Sequence, residues 1–535
     1  MKNYKKIIIS ILITLVVAFI LFYFMIPPIN VTSLYFWFYI LIVLILFILN
    51  ISFTSFDGVM KNAKFPKEIN RILMGVGGCF AGIIVIIIVI DIVSSPIFNS
   101  KKYANRIVID ENGNFLEDVE KVNFKHLPLL DKSSSQKLGD RVMGQMPELV
   151  SQFVVSDLYT QINYNNDIIR VTPLEYNGFI KYLGNKKDGV KGYITVDSVT
   201  GESKLVKLEK GMKYMPSAYF SKDLKRTLRF KYPTVIFDEP SFEIDNDGNP
   251  YWVVPTIKYS GVGLRKEING VVVLDPITGK SKKYGINEVP SWIDHVYSAG
   301  LIIDQVNNWG LYKKGFLNSI FGQKEVVQTT DGYNYLIMND DVYLYTGITS
   351  KSTDESNIGF ILTNMRTKET VFYAVPGAEE YSAMASAEGQ VQQMNYTSSF
   401  PLLINLNNKP TYLLSLKDNA GLVKMYAFVD VVDYQKVSVS DASLGIEAAA
   451  QKYLGSDYNI EDDELLSKHI TVRVVSSANI DGTTNYYFRD TDGNKYKASI
   501  KIDESILPFL KAEDKLKIYY LIEDTLTEVV QLEKE

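Results

Sequence analysis

Along the first hundred residues polar positions almost vanish. Residues 7–25 and 34–53 carry no charge, the second stretch opens on an aromatic cluster from Tyr35 to Tyr39, and residues 72–90 end in the run IIVIIIVI. Each is long enough to cross a hydrocarbon core, which takes about 20 apolar residues, and aromatic rings sit well at a membrane interface. After residue 94 the period changes. Short Val/Ile/Tyr/Phe runs broken by Gly, Pro, Asn and Asp predict strands. An amphipathic stretch at 141–153 predicts a short helix behind the polar stretch 131–136. The predicted fold class is a three-helix transmembrane anchor, an α+β extracytoplasmic region of repeated β-hairpin modules, and a small C-terminal β-barrel. The expected domains are an anchor at 1–98, a connector with a short helix at 99–155, repeated modules at 156–455 and the barrel at 462–535.

Charge orients the anchor. The N-terminal tail carries Lys2, Lys5 and Lys6, the loop 27–33 carries nothing, and the second loop carries Lys61, Lys64, Lys67 and Arg71 against Asp57 and Glu68. Basic short loops stay in the cytoplasm. A multi-pass protein of the cell membrane follows, with a cytoplasmic N-terminus and everything beyond about residue 94 outside. A cleaved signal peptide competes for the first run, but no small-x-small site follows it and Pro27-Pro28 leads straight into the second. Gly75, Gly78 and Gly82 form a small-residue face that admits close helix approach, either against the first two spans or in a homo-oligomer through Gly78 and Gly82. Asp91, followed by Ser94, Ser95 and Pro96, is expected at the outer interface. Residues beyond 100 hold 49 basic and 58 acidic side chains, a net of −9, a poor match for nucleic acid. The sole cysteine is Cys79, so no disulfide forms within the chain, as suits the many Gram-positive envelopes that do without them.

The outer region repeats. Gly192-Tyr-Ile-Thr-Val-Asp197-Ser-Val-Thr200-Gly201 matches Gly270-Val-Val-Val-Leu-Asp275-Pro-Ile-Thr278-Gly279. A third copy runs from Gly359 through Asn364 to Lys368, and a fainter one from Met425 through Asp430 to Asp433. Each reads as a strand, a turn closed by an Asp or Asn side chain, and a second strand, with glycine supplying positive φ in the first two copies. Asp245-Asn-Asp-Gly248-Asn-Pro250-Tyr-Trp-Val-Val is echoed by Asn405-Leu-Asn-Asn408-Lys-Pro410-Thr-Tyr-Leu-Leu. Helices are expected at 378–393 and 440–454, giving a unit of strands followed by a helix. The first glycines of the three clear copies are 78 and 89 residues apart, too irregular for a solenoid or propeller. These hairpins resemble PepSY and PepSY-like modules, small α+β units of bacterial extracytoplasmic and membrane proteins, over about 160–455. The resemblance implies regulation or inhibition of peptidases and envelope homeostasis; it carries no functional residues.

The tail has strand signals near 470–476, 485–489, 495–502, 515–522 and 527–532, with a helix expected at 503–511. That order resembles an OB-type barrel of five strands, a fold that does not by itself specify a ligand.

Catalytic and cofactor signatures are missing from the sequence. His126, His295 and His469 stand isolated, and there is no metal-spaced cluster, P-loop, dinucleotide fingerprint or nucleophile elbow. No catalytic residue and no cofactor is predicted. Asp245 and Asp247 look like a scrap of a calcium loop, but the twelfth position is Thr256 where a closing Glu is needed. The stretch 345–357 gathers Thr346, Thr349, Ser350, Asp354 and Asn357 and is read as a polar loop able to bind a glycan-like ligand. Two functions compete: a non-catalytic envelope protein that binds or regulates another envelope protein or a glycan, and a membrane-bound cell-wall or peptide hydrolase whose site assembles only in three dimensions. The partners expected are the lipid bilayer and an envelope protein or glycan, without nucleic acid.

Overall fold

A computed structural model describes residues 2–55, 66–338, 340–351, 356–455, 466–480, 483–520 and 525–534. Three long apolar helices open the chain, α1 (Lys2–Met25), α2 (Leu34–Thr54) and α3 (Lys67–Ser94), each of a length and composition that can cross a membrane. A large β-rich region with several sheets follows. The loop lysines Lys61 and Lys64 lie outside the described residues. The chain divides into two compact units, 1–113 with 125–375, and 114–124 with 376–535.

Polar side chains hold α1 to α2. Ser10 Oγ meets Thr54 Oγ1 at 2.9 Å, Asn50 Nδ2 donates to Ser10 O and Thr14 Oγ1 at 3.0 and 3.3 Å, and Tyr39 OH donates to Ala18 O at 2.9 Å. Such bonds join helices where burying apolar surface yields no gain. The glycine face of α3 packs on nothing in the described chain: a Cβ on Gly75, Gly77, Gly78 or Gly82 would meet no atom within 4 Å. The expected packing of that face against the first two helices is therefore absent. A short helix, α4 (Pro96–Ala104), follows α3 after the single residue Ser95.

Four sheets share one strand order. In the first, Phe153–Val155 and Thr160–Tyr164 both pair with Asp167–Tyr176, which pairs with Val190–Asp197 and that with Ser203–Met212. The second repeats this with Ile236–Phe237, Ser241–Ile244, Pro250–Lys258, Glu267–Leu274 and Ser281–Gly285. The third uses Val327–Thr329, Asn334–Met338, Asp341–Ser350, Ser356–Asn364 and Thr370–Tyr373, with Ile109–Gly113 added in parallel. The fourth, in the second unit, uses Thr397–Ser398, Leu402–Leu406, Lys409–Lys417, Val423–Asp430 and Val437–Asp441. A helix precedes each set: α5 (Lys132–Gly144), α6 (Leu224–Lys231), α7 (Ala299–Tyr312) and α8 (Glu380–Gln390). Each set is also followed by a helix: α6, α7 and α8 come after the first three, and α9 (Ile446–Leu454) after the fourth. Strands followed by a helix is thus the observed order, with α8 and α9 inside the stretches 378–393 and 440–454 where helices were expected.

The turn chemistry is the same in all four. The side chains of Asp197, Asp275, Asn364 and Asp430 each accept from the backbone N–H two and three residues on, at 2.8–3.2 Å. Gly201 and Gly279 take φ of 78° and 75°, and Lys368 bears the same strain at 67°. The second sheet is buried on both faces. Trp252, Val254, Val272 and Leu274 enter a core shared with the first sheet, while Val253, Val271 and Val273 enter one shared with the third. Successive strand residues point to opposite faces, so such a strand reads as an unbroken apolar run.

Other expectations shift. The connector helix begins at Lys132, because Asp131 caps it by accepting from Ser134 N at 2.9 Å. The helix expected at 503–511 is two 3₁₀ turns, Ile500–Ile502 and Leu507–Phe509; Pro508 lacks the N–H an α-helix through it needs. The tail sheet has six strands, ordered Thr527–Glu528, Lys495–Ser499, Thr483–Asp490, Leu466–Ile480, Lys515–Tyr520 and Gln531–Lys534. The last predicted strand thus splits between its two edges.

The hairpin glycines give a graded test. A Cβ on Gly279 would lie 2.3 Å from the Tyr214 ring, whereas one on Gly201 meets only Leu130 and Leu138 at 3.3–3.5 Å. Both alanine variants bear the positive-φ strain of about 1 kcal/mol, and Gly279→Ala adds an overpacking cost of about 1–3 kcal/mol. Thermal unfolding of the purified full-length protein should rank wild type above Gly201→Ala above Gly279→Ala.

Candidate functional site at the joint of apolar helices and second sheet

The site grows from one short helix. Asp223 caps α6 by accepting from Arg226 N at 2.7 Å, and Leu224 and Leu228 anchor it in the core. That leaves Arg226, Arg229 and Phe230 turned toward the end of α1. The last carbonyls of any helix lack intrahelical partners. Here Arg226 Nε donates to Tyr23 O at 3.1 Å and Arg229 Nε to Ile26 O at 3.0 Å, while Arg229 NH1 also reaches Val235 O at 2.5 Å. The Arg226 guanidinium lies 4.6 Å over the Tyr23 ring, and Phe230 packs on Phe22 and Tyr23. Arg229 is 7% exposed, and burial pushes its guanidinium down to about 10, still charged at neutral pH.

Backbone bonds complete the joint. Ile29 N donates to Pro233 O at 2.7 Å, Gly263 N to Thr32 O at 2.9 Å, and Val262 N to the Asp91 carboxylate at 3.2 Å. Asp91, expected at an interface, ties α3 to this loop.

Between these contacts lies a cavity of about 830 Å³. Trp37, Phe38 and Leu41 of α2 form one wall; Leu228, Ile236, Phe237 and Val254 form the other. Its charged rim is self-paired: Lys225 Nζ sits 3.3 Å from Glu239, and Lys266 Nζ 2.6 Å from Asp238. A large apolar hollow with a narrow polar border suits an apolar chain bearing a polar head.

A second cluster joins the three sheets of the first unit. Glu243 is wholly buried, accepting from Ser241 Oγ at 2.6 Å and Asp294 N at 2.9 Å. The Asp294 carboxylate, 2% exposed, accepts from Asn163 N at 2.8 Å. His295 Nε2 sits 2.6 Å from Gln161 O, with its ring edge-on to Tyr335. Arg366 forks onto Asp341 at 2.6 and 2.8 Å. Burial pushes Glu243 up to about 7; burial and the Glu243 charge hold Asp294 well above the carboxylate range. His295 is pushed down to about 4 by burial, with Arg170 adding to the effect. Two acids beside a histidine resemble a hydrolytic pair, but the carboxylates do not reach the surface where a substrate would meet them.

Of the residues picked from sequence, Thr346, Thr349 and Ser350 lie on Asp341–Ser350 and Asn357 on Ser356–Asn364. The register sets Thr349 opposite Asn357. Thr346, Thr349 and Asn357 are buried, and the Thr346 hydroxyl donates to Gly332 O. Asp354 lies outside the described residues. Asp245 closes its own turn, accepting from Asp247 N and Asn249 N, and among the described residues no group of three His, Cys, Asp or Glu could hold a metal. The joint was missed from sequence; its signal was the pair Arg226 and Arg229 beside Phe230.

No family model matches this chain, and no curated protein matches it. Among solved structures, a mutant of the Synechocystis apocarotenoid oxygenase is similar at 9% identity and a TM-score of 0.13, over 72% of this chain and 62% of that one. The chain thus spans less than two thirds of that protein, and a likeness at this level carries no argument about fold or function.

Two outcomes follow. Arg229→Met should cost about 2–4 kcal/mol by stranding buried carbonyls, read as a lower melting temperature in detergent; Arg229→Lys should not restore it, since one ammonium cannot copy the guanidinium fork. The second concerns pH. A carboxylate raised in the fold stabilises it while protonated, so Glu243's contribution is present below its unfolded value, about 4.3, and is lost as pH rises through about 7. His295, lowered in the fold, acts oppositely, its contribution being lost as pH falls from about 6.5 towards 4. Above pH 6.5 the carboxylates act alone. The wild-type melting temperature should fall between pH 6.5 and 8.5, and Glu243→Gln should flatten that slope.

Proposed function

We propose that this chain is a non-catalytic, membrane-anchored protein of the bacterial cell envelope. In this reading the three apolar helices cross the cell membrane, the N-terminus and the loop between α2 and α3 lie in the cytoplasm, and the β-rich region faces outward. There it binds or regulates another envelope component, a protein or a glycan. The four sheets are duplicated PepSY-like modules, and the tail is a small OB-like barrel. Support for the barrel comes from residues 529 and 530: Val529 N donates to Lys497 O and Val530 N to Tyr519 O, so one segment bridges both halves of the tail sheet.

The observation that carries the proposal is the joint. A sheet region locked by two arginines onto the end of α1 is held against the bilayer surface, and the hollow at that joint is open to an apolar chain. The reading is therefore of a platform that seats the apolar chain of an envelope amphiphile while its modules face the partner.

Two experiments test it. A fluorescent reporter that matures only in the cytoplasm, fused to the C-terminus, should stay dark in intact cells; a bright fusion reverses the orientation. Organic extraction of the purified protein, read by mass spectrometry, should recover an amphiphile that survives detergent exchange. Leu41→Trp, which narrows the cavity from α2, should retain less of it. Equal retention by both proteins would place the amphiphile elsewhere.

A further inference from the structure

Just past the end of α7 lies an apolar surface that no described residue of the first unit covers. Leu317, Ile320 and Phe321 are 69, 49 and 81% exposed, a concentration of large apolar side chains that soluble surfaces avoid. The segment is held in shape. Ser319 Oγ donates to Phe316 O at 2.7 Å, Asn318 Nδ2 to Lys324 O at 3.0 Å, and Lys324 N to Asn318 Oδ1 at 3.2 Å. Tyr312 stacks on Phe316 and meets Tyr103 of α4 edge-on at 6.0 Å. Since only Ser95 separates α4 from α3, the segment is attached close to the end of an apolar span. The first turn of α4 exposes Ile97 and Phe98 as well.

Its border is basic. Lys313, Lys314 and Lys324 flank the apolar tip against one carboxylate, Glu325, which pairs with Lys314. Lys313 Nζ lies 4.2 Å over the Trp309 ring. Between α4 and α7 a hollow of about 440 Å³ is bordered by Lys101, Lys313 and Lys314. Apolar side chains ringed by lysines and a tryptophan match what an anionic bilayer surface recognises: acyl chains below, phosphates at the rim.

We infer that residues 315–322 insert into the bilayer leaflet into which α3 emerges, with Phe321, Leu317 and Ile320 among the acyl chains and the lysines at lipid phosphates. The occupant is the bilayer itself. The segment is then a fourth membrane contact, pinning the third sheet as the arginines pin the second. The inference rests on membrane insertion of α1–α3 and not on which side faces out, so a reversed reporter result would leave it standing.

The test uses the full chain with Cys79→Ser, reconstituted in vesicles of phosphatidylcholine and phosphatidylglycerol. An environment-sensitive fluorophore is placed at Phe321→Cys and, separately, at Leu317→Cys, with Lys207→Cys as an exposed control. Both loop probes should be quenched by lipids spin-labelled on the acyl chain and be several-fold less accessible to iodide than the control. Two positions guard against one variant perturbing the loop. Iodide access equal to the control at both positions would overturn the inference. So would shielding from both quenchers that depends on protein density, which would mark a second copy as the occupant.

Discussion

A helix leaves its last carbonyls unpaired, and an apolar helix that stops at a membrane surface must find partners for them there. In this chain the partners are guanidinium groups from a helix some two hundred residues away. Arg226 and Arg229 of α6 take the Tyr23 and Ile26 carbonyls, and the rest of the first unit follows from that constraint. With α6 fixed on α1, the second sheet lies beside the apolar hairpin. Its two buried faces then order the first and third sheets around it. The cavity is the space left between the wall of α2 and the wall formed by α6 and the second sheet.

The same unit spends polar groups at its inner joint. Glu243 of the second sheet accepts from Asp294 N, while Asp294 and His295 bond Asn163 N and Gln161 O of the first sheet and the His295 ring meets Tyr335 of the third. Burying ionisable groups is costly unless each is hydrogen-bonded, but it also fixes register. An apolar patch would tolerate sliding between sheets; a carboxylate that must receive one particular N–H does not. We read the cluster as what makes the three sheets pack in one arrangement, with the shifted titration of its members as the consequence.

How much of this was legible can be argued element by element. The three apolar helices were plain because their uncharged runs admit no other placement, and the repeated hairpins because an Asx turn needs its residues at fixed spacing. The buried rows Val271 to Leu274 read correctly as strands without showing that both faces were covered. The polar ladder of Ser10, Thr14, Asn50 and Thr54 went unread, since each residue is unremarkable until two helices meet. The stretch 345–357 was read as a loop because its hydroxyls looked solvent-facing, yet threonine is β-branched and fits a sheet interior when its hydroxyl finds a carbonyl, as Thr346 does. Helix α6 was missed because its apolar face is only Leu224 and Leu228 among eight residues with four cations. Its cations are placed for carbonyls that only the fold brings near.

The account stands on the joint between α1, α2 and the second sheet. A cryo-electron microscopy map of the full chain in lipid nanodiscs tests it most directly. It should show the guanidinium groups of Arg226 and Arg229 on the carbonyls of Tyr23 and Ile26, and an elongated non-protein density between Trp37 and Ile236. A map with α6 lifted from the end of α1 and both guanidinium groups in solvent, or with the cavity closed by side chains, would contradict it.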